Sequence, residues 1–325
     1  MNTTDQGIVI REYRGAFEVE TPDGALLCTL RSKLHKVFVY PESENRRQVV
    51  ESVRRLTAAA PVVIGDHVRI ARFPDGTGTI EEVMPRLSKL SRFAPGDRPV
   101  EQVILANADQ IVLVVAVRNP DPHLRFLDRL LIAAERGGLI PVICVNKTDL
   151  LKSALPDITA IYERTGYRVL RTSAHTGEGV ETLKEILKDR ISAIAGASGV
   201  GKTSLLNAVQ EGLGLRVREV SHATGRGRHT TTYLAAHRLD QGGMVIDTPG
   251  LREFGLWELP AEELPALFPE MRPYLDGCRF HNCTHAHEPG CLVRQAVSDG
   301  LMAQDRYDSF VALWKELKVK QKFEG

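Results

Sequence analysis

Residues 8–31, "IVIREYRGAFEVETPDGALLCTLR", alternate apolar and polar side chains and break at "PDG". A period of two puts every second side chain on one face of an extended chain, so strands joined by a tight turn are expected. "PVVIGDHVRI" and "GTGTIEEVM" continue the alternation. Short strands in succession with glycine turns predict a small barrel or sandwich over residues 1–84. Between them, "ENRRQVVESVRRLTAAA" has helical spacing, with Val49, Val50, Val53 and Leu56 on one side and Arg46, Arg47, Arg54 and Arg55 around it. An amphipathic helix is expected there, either solvated or facing RNA. Residues 85–99, "PRLSKLSRFAPGDRP", hold three prolines and little periodicity and read as a linker.

From residue 100 the rhythm changes. Apolar runs such as "IVLVVAV" and "PVICV" are too continuous for a half-exposed sheet, and they alternate with helical segments near 124–136, 154–165 and 181–188. That alternation predicts a mostly parallel sheet covered by helices over residues 100–258. Residues 259–325 turn helical and short around a cysteine cluster. The expected fold class is therefore multi-domain: a β-barrel, an α/β core and a small, mainly helical segment around the cysteines.

Composition narrows the setting. The longest conspicuous apolar run, residues 111–117, is far too short to span a bilayer, and the start "MNTTDQGIVI" lacks a secretory pattern. We therefore expect a cytoplasmic protein with no membrane partner; a monomer is expected as well. A net charge of +1 requires any basic surface to be local, as in "RSKLHK" (31–36).

The chemistry sits in four motifs. "GASGVGKTS" (196–204) follows the strand-like "ISAIA" and opens a helix, the context of a phosphate loop. In such a loop the backbone N–H groups of Gly196, Ala197, Ser198, Gly199, Val200 and Gly201 curl round phosphates, beside Ser204. Lys202 reaches the β and γ phosphates, and Thr203 ligates Mg²⁺. "DTPG" after "MVI" gives Asp247 for Mg²⁺ through water and Gly250 for the γ phosphate. "NKTD" reads guanine: Asp149 accepts from N1 and N2, Asn146 faces the O6/N7 edge, Lys147 lies over the ring, and Thr148 completes the turn. Adenine would leave that carboxylate unpaired. "TSAHTGEG" (172–179) supports the base through Ser173 and Ala174. "TGRGRHTTT" (224–232) offers switch hydroxyls, of which Thr231 is favoured for the Mg²⁺ shell. Leu251 occupies the place where many such enzymes use glutamine to orient water. His229 is then the best candidate for that task, with Lys202 stabilising transferred charge.

Cys278, Cys283 and Cys291 lie within fourteen residues, with His281, His285 and His287 among them. Three thiolates and one imidazole make a closed tetrahedral set suited to structural zinc. Cys28 and Cys144 stand alone in strand-like runs and read as buried apolar residues.

The motif order is base site, base support, phosphate loop, switch threonine, "DTPG". An ordinary GTPase places the last three first, so the core is circularly permuted and its phosphate sensor leads directly into residues 259–325. Through "NKTD", "GASGVGKTSLLN", "GRGRHTTT", "DTPGLREF" and "CRFHNCTHAHEPGC", nearly the whole chain resembles the RsgA family of circularly permuted GTPases. The resemblance implies an OB-fold, then the permuted GTPase, then a zinc domain whose histidine ligand is His285. It also implies GTP hydrolysis stimulated by the small ribosomal subunit late in its maturation, contact with its rRNA, and an apolar residue at position 251. Residues 37–60 are longer than the loop the family implies.

Two other classes stay in view. One is an RNA-binding module gated by nucleotide, and the other a P-loop kinase, against which "NKTD" argues.

Overall fold

The structure, a computed structural model, describes residues 4–39, 52–55, 60–94, 100–151, 158–213, 234–248 and 254–324. The alternating N-terminal stretch forms β1 (Thr4–Tyr13), β2 (Ala16–Thr21), β3 (Gly24–Leu30), β6 (His67–Arg72) and β7 (Thr77–Val83). β1 pairs with β2 and β6, β2 with β3, β3 with β7 in parallel, and β7 with β6. The ring closes, so these strands leave no free edge among themselves. Val9, Val19, Cys28, Val68, Ile70 and Ile80 fill its interior.

Two expectations change here. The described part of the expected helix over residues 44–60 is a strand. β4 (Lys36–Val39) and β5 (Ser52–Arg55) pair antiparallel, with Phe38 opposite Val53. Strand pairing satisfies the backbone groups as a helix would, and β-branched valines favour the extended form. The segment read as a linker contains β8 (Lys89–Phe93), which pairs with β9 (Glu101–Ala106).

The nucleotide-type core follows. β10 (Gln110–Ala116), α1 (Leu124–Arg136), β11 (Ile140–Asn146), α2 (Ile158–Glu163) and β12 (Arg168–Arg171) come first. Then come α3 (Val180–Leu187), β13 (Ile191–Ala195), α4 (Lys202–Val209), β14 (Ala235–Arg238) and β15 (Met244–Asp247). Strand order is β12-β11-β10-β13-β15-β14, parallel throughout except β14. Every residue of β10 is buried because both sheet faces are covered. Ile111, Leu113 and Val115 join the layer holding Leu127, Leu130 and Leu131 of α1. Val112, Val114 and Ala116 join Leu183, Ile186, Leu205 and Leu206 of α3 and α4. The connections diverge at the β10/β13 boundary, where an open parallel sheet forms its ligand crevice.

Past residue 253 the chain lays Phe254, Leu256 and Leu259 into the same core. Phe93 donates its N–H to Gly255 O (3.2 Å) and meets the Trp257 ring edge-on at 5.0 Å. Two 3-10 turns (Leu264–Leu267 and Pro269–Gly277), α5 (Leu292–Ser298) and α6 (Gln304–Glu324) complete the chain. Arg306 of α6, 1% exposed, pairs with Asp128 of α1 and Glu270 and lies 4.6 Å over the Phe268 ring. The C-terminal segment is thus fastened to α1 by an ionic cluster as well as by apolar burial.

Candidate functional site

The crevice gathers three loops at the carboxyl ends of β11, β12 and β13. Residues 196–201 run from β13 into α4, and two glycines there are required by space. Gly196 has φ +149°, and a Cβ would sit 2.2 Å from Val114 O; at Gly201, φ +96°, it would sit 2.4 Å from Asn146 Nδ2. Lys202 opens α4 and is 8% exposed, its Nζ donating to Gly196 O and Ala197 O at 2.9 Å each. Burial lowers its pKa, and the nearby Asp247 carboxylate works against that shift.

Asn146, 1% exposed, donates Nδ2 to Val200 O (2.8 Å) and accepts from Thr172 Oγ1 (3.2 Å). Its amide therefore clasps the phosphate-type loop to the 172–179 loop, and only its second N–H stays available for a base edge. Lys147 adopts φ +62° and donates to Gly199 O (2.7 Å) and to Asn119 O. Burial lowers the Lys147 pKa, opposed by Asp149. Ser173 Oγ donates to Asp149 Oδ1 at 2.5 Å. Asn146 and Lys147 thus meet the 196–201 loop directly, Thr148 and Asp149 are tied to the 172–179 loop through Thr172, Ser173 and Glu178, and Ala174 follows Ser173.

Asp247 ends β15. Burial raises its pKa, Lys202 counteracts, and Oδ1 is buried without a hydrogen-bond partner among the described residues. An orphaned carboxylate oxygen beside a phosphate-type loop fits a divalent cation, which would hold the group ionised. Thr203 stands next to Lys202 at the start of α4. Thr231, His229, Gly250 and Leu251 lie outside the described residues.

A second centre lies in the C-terminal segment. The ligand atoms of Cys278, Cys283, His285 and Cys291 all fall within 4.8 Å of one another. His281 and His287 are outside that set. Zn–S bonds of about 2.3 Å and Zn–N of about 2.0 Å in a tetrahedron require S···S edges of about 3.8 Å and S···N edges of about 3.5 Å. Here Cys278 Sγ lies 3.9 Å from Cys291 Sγ, and His285 Nδ1 lies 3.5 Å from each. Burial lowers the His285 pKa, which favours the neutral imidazole a metal needs. Burial also pushes the Cys283 thiol up to about 12 and raises Cys291, so a cation is what would favour their thiolates. The donor set and its spacing fit one zinc ion. Glu288 braces the loop: its Oε1 accepts from Thr284 Oγ1 (2.6 Å) and Thr284 N (3.0 Å). Against the opposing effect of burial, these bonds and backbone N–H groups lower its pKa to about 2.

Sequence reasoning missed several participants. Asn119 follows β10 without a motif of its own, and Thr172 opens the quoted "TSAHTGEG" without an assigned task. Glu178 sits inside the quoted "TSAHTGEG" but had no assigned task. Its only signal was proximity to the base-support residues.

A model of the RsgA GTPase family matches residues 83–257. The "Small ribosomal subunit biogenesis GTPase RsgA" of Gemmatimonas aurantiaca is 42% identical over 325 residues, covering 98% of this chain and 99% of that relative. The protein of the same name from Moorella thermoacetica is 38% identical, again covering 98% and 99%. Among solved structures, YjeQ from Thermotoga maritima superposes with a TM-score of 0.73 at 33% identity, covering 97% of this chain and 99% of that one. YloQ, described as a circularly permuted GTPase, gives 0.68 at 26% identity, covering 98% and 96%. With the family matched over more than half of its length and relatives matched from end to end, the chain belongs to the RsgA GTPase family and is a GTP hydrolase.

Proposed function

We propose that this GTPase acts on the small ribosomal subunit late in its maturation, that the subunit stimulates its hydrolysis of GTP, and that rRNA is part of the surface it binds. The relatives' names support the ribosomal half of this reading. The nucleotide half is carried by one observation: Asn146 and Lys147 of "NKTD" are hydrogen-bonded to Val200 and Gly199 of the phosphate loop. A base held by the first motif would therefore place its phosphates along the second.

In this reading Asp149 selects guanine, with Asn146, Lys147 and Thr148 around it and Ser173 and Ala174 behind it. Residues 196–204 take the phosphates. Lys202 leaves the Gly196 and Ala197 carbonyls for the β and γ phosphates, where negative charge concentrates. Mg²⁺ held by Thr203, Thr231 and Asp247 would supply further positive charge there. Gly250 senses the γ phosphate. Leu251 offers no hydrogen bond to water, so His229 takes that task on the subunit, and intrinsic turnover is slow. Cys278, Cys283, His285 and Cys291 hold one structural zinc, which stabilises residues 259–325. The barrel of residues 1–84 takes the OB-fold's role on nucleic acid, 85–99 leads into the GTPase of 100–258, and the protein works as a cytoplasmic monomer. Among the described residues no helix is long and apolar enough to cross a membrane.

The test is GTP hydrolysis with and without purified small subunits. A severalfold or greater rise in rate is expected. A flat rate would remove the ribosomal half and leave the GTPase standing.

A further inference from the structure

Thr148 and Asp149 sit in a three-residue 3-10 turn entered through a left-handed residue, Lys147. So short a turn has little stiffness of its own, yet Asp149 must hold its carboxylate in one orientation to read two adjacent donors of a base. Two side-chain ties to the 172–179 loop fix it. Ser173 Oγ donates to Asp149 Oδ1 (2.5 Å). Thr148 Oγ1, in a residue 7% exposed, lies 2.6 Å from Glu178 Oε2 and 3.0 Å from Thr172 O. Glu178 also folds the loop that presents Ser173. Its carbonyl accepts from Ser173 N (3.0 Å), and its N–H donates to Thr176 Oγ1 (3.4 Å). One residue therefore closes the base-support loop with its backbone and fastens it to the base-reading turn with its carboxylate.

We propose that Glu178 is a positioning residue for guanine recognition, acting on Asp149 through Thr148 and Ser173. The proposal rests on the guanine reading of "NKTD" given above. It follows from the connectivity: when the carboxylate is removed, the turn keeps the Ser173 tie, its backbone bonds and the longer contact of Thr148 Oγ1 with Thr172 O, and with the shorter tie of Thr148 gone Asp149 samples orientations that do not meet the base. Loss of preorganisation weakens binding without touching the reacting phosphate.

A rival role is available on the same page. Glu178 precedes Gly179, the residue that caps α3, so its charge also favours the helix dipole. The two roles separate by substitution. Glu178→Gln keeps an acceptor for Thr148 and removes the charge, whereas Glu178→Ala removes both.

The experiment measures GDP and ADP affinity with fluorescent nucleotides, KM and kcat for GTP, and thermal unfolding, for the full chain and its variants. Glu178→Ala should weaken GDP by about tenfold, narrow the GDP-over-ADP preference, and raise KM more than it lowers kcat. Glu178→Gln should recover most of that loss. Thr148→Val should lose at least as much as Glu178→Ala, since it also removes the contact with Thr172 O, and the double variant should lose no more than Thr148→Val alone, because the Glu178 tie is already cut there. Equal losses in the Ala and Gln variants, or wild-type GDP affinity in a folded Glu178→Ala protein, would overturn the proposal. If the wild-type chain itself binds ADP as well as GDP, the guanine reading fails first, and that outcome is read before any variant.

Discussion

Lys202 shows how much one side chain is held in readiness. Its ammonium is buried and spends its hydrogen bonds on two loop carbonyls, 2.9 Å away in each case. Burial lowers its pKa while Asp247 pulls the other way, so the cation is kept in place by one acidic neighbour and two backbone oxygens. Phosphate oxygens compete well for such a donor, because a charge-assisted bond to an anion exceeds one to a carbonyl. We expect Lys202→Ala to lower the GTP hydrolysis rate by at least about a hundredfold, the scale for removing a preorganised charge at the reacting centre. Phosphate release measured at saturating GTP checks this, and near-normal turnover would show that the charge is supplied elsewhere. Asn146 makes a different point. Its residue type pointed to a base contact, while its observed bonds to Val200 O and Thr172 Oγ1 give it a scaffolding task that no local motif encodes.

Among the elements, those with strong periodicity were legible. α1 spans Leu124–Arg136 as its spacing implies, and the barrel strands follow their alternation. β8 was not, because prolines on both sides hid a five-residue strand whose partner begins at Glu101. β5 was not, because "VVESVRR" satisfies a helical spacing as well as an extended one, and its pairing with β4 decided the matter. The site's motifs were legible as strings, while the ties between them were not. Thr148 and Glu178 are thirty residues apart, and Arg306 is 178 residues from Asp128. Arg306 carries the clearest energetic consequence. The Asp128 and Glu270 side chains are only 1% and 5% exposed, so Arg306→Met would strand two buried carboxylates. A loss of about 3–5 kcal/mol is expected for breaking such a set from one side, read as a lower denaturant midpoint. An unchanged midpoint would mean that the cluster relaxes to solvent. The zinc-type loop should behave independently of the crevice. Cys283→Ser should abolish bound zinc in metal analysis and loosen residues 259–325, while GDP affinity stays within about twofold, since metal binding there is folding free energy for that segment.

Across the molecule, one sheet joins barrel and nucleotide core. β14, the antiparallel edge strand beside β15, pairs with β1 of the barrel at Ala235 and Arg11. Beside that seam Arg238 of β14 forks onto Glu20 of β2, with Nε donating to Oε1 at 2.8 Å and Nη2 to Oε2. In chain order β14 directly follows "GRGRHTTTYL", the stretch assigned above to water orientation and the Mg²⁺ shell. A force on the barrel therefore reaches that stretch through backbone pairing and one bidentate ion pair. On the other side, Gly255 and Trp257, a few residues past "DTPGLRE", are pinned to Phe93 of β8, so the described residues that follow each of these two stretches pack on the barrel or the hairpin that precede the core. If subunit contact with the barrel is what accelerates hydrolysis, weakening the seam should reduce stimulation and spare the basal rate. Arg238 is largely exposed, and an exposed pair contributes about 1 kcal/mol or less, so an effect of a fewfold is the right expectation. Glu20→Arg and Arg238→Glu, each placing like charges at the seam, should lower the subunit-stimulated rate about threefold to fivefold at low salt and less at high salt. The double exchange, Glu20→Arg with Arg238→Glu, restores opposite charges and should recover most of the stimulated rate. Stimulation that is unchanged in both single variants, or equally low in the double exchange, would place the coupling in the Phe93–Trp257 contact rather than in the shared sheet.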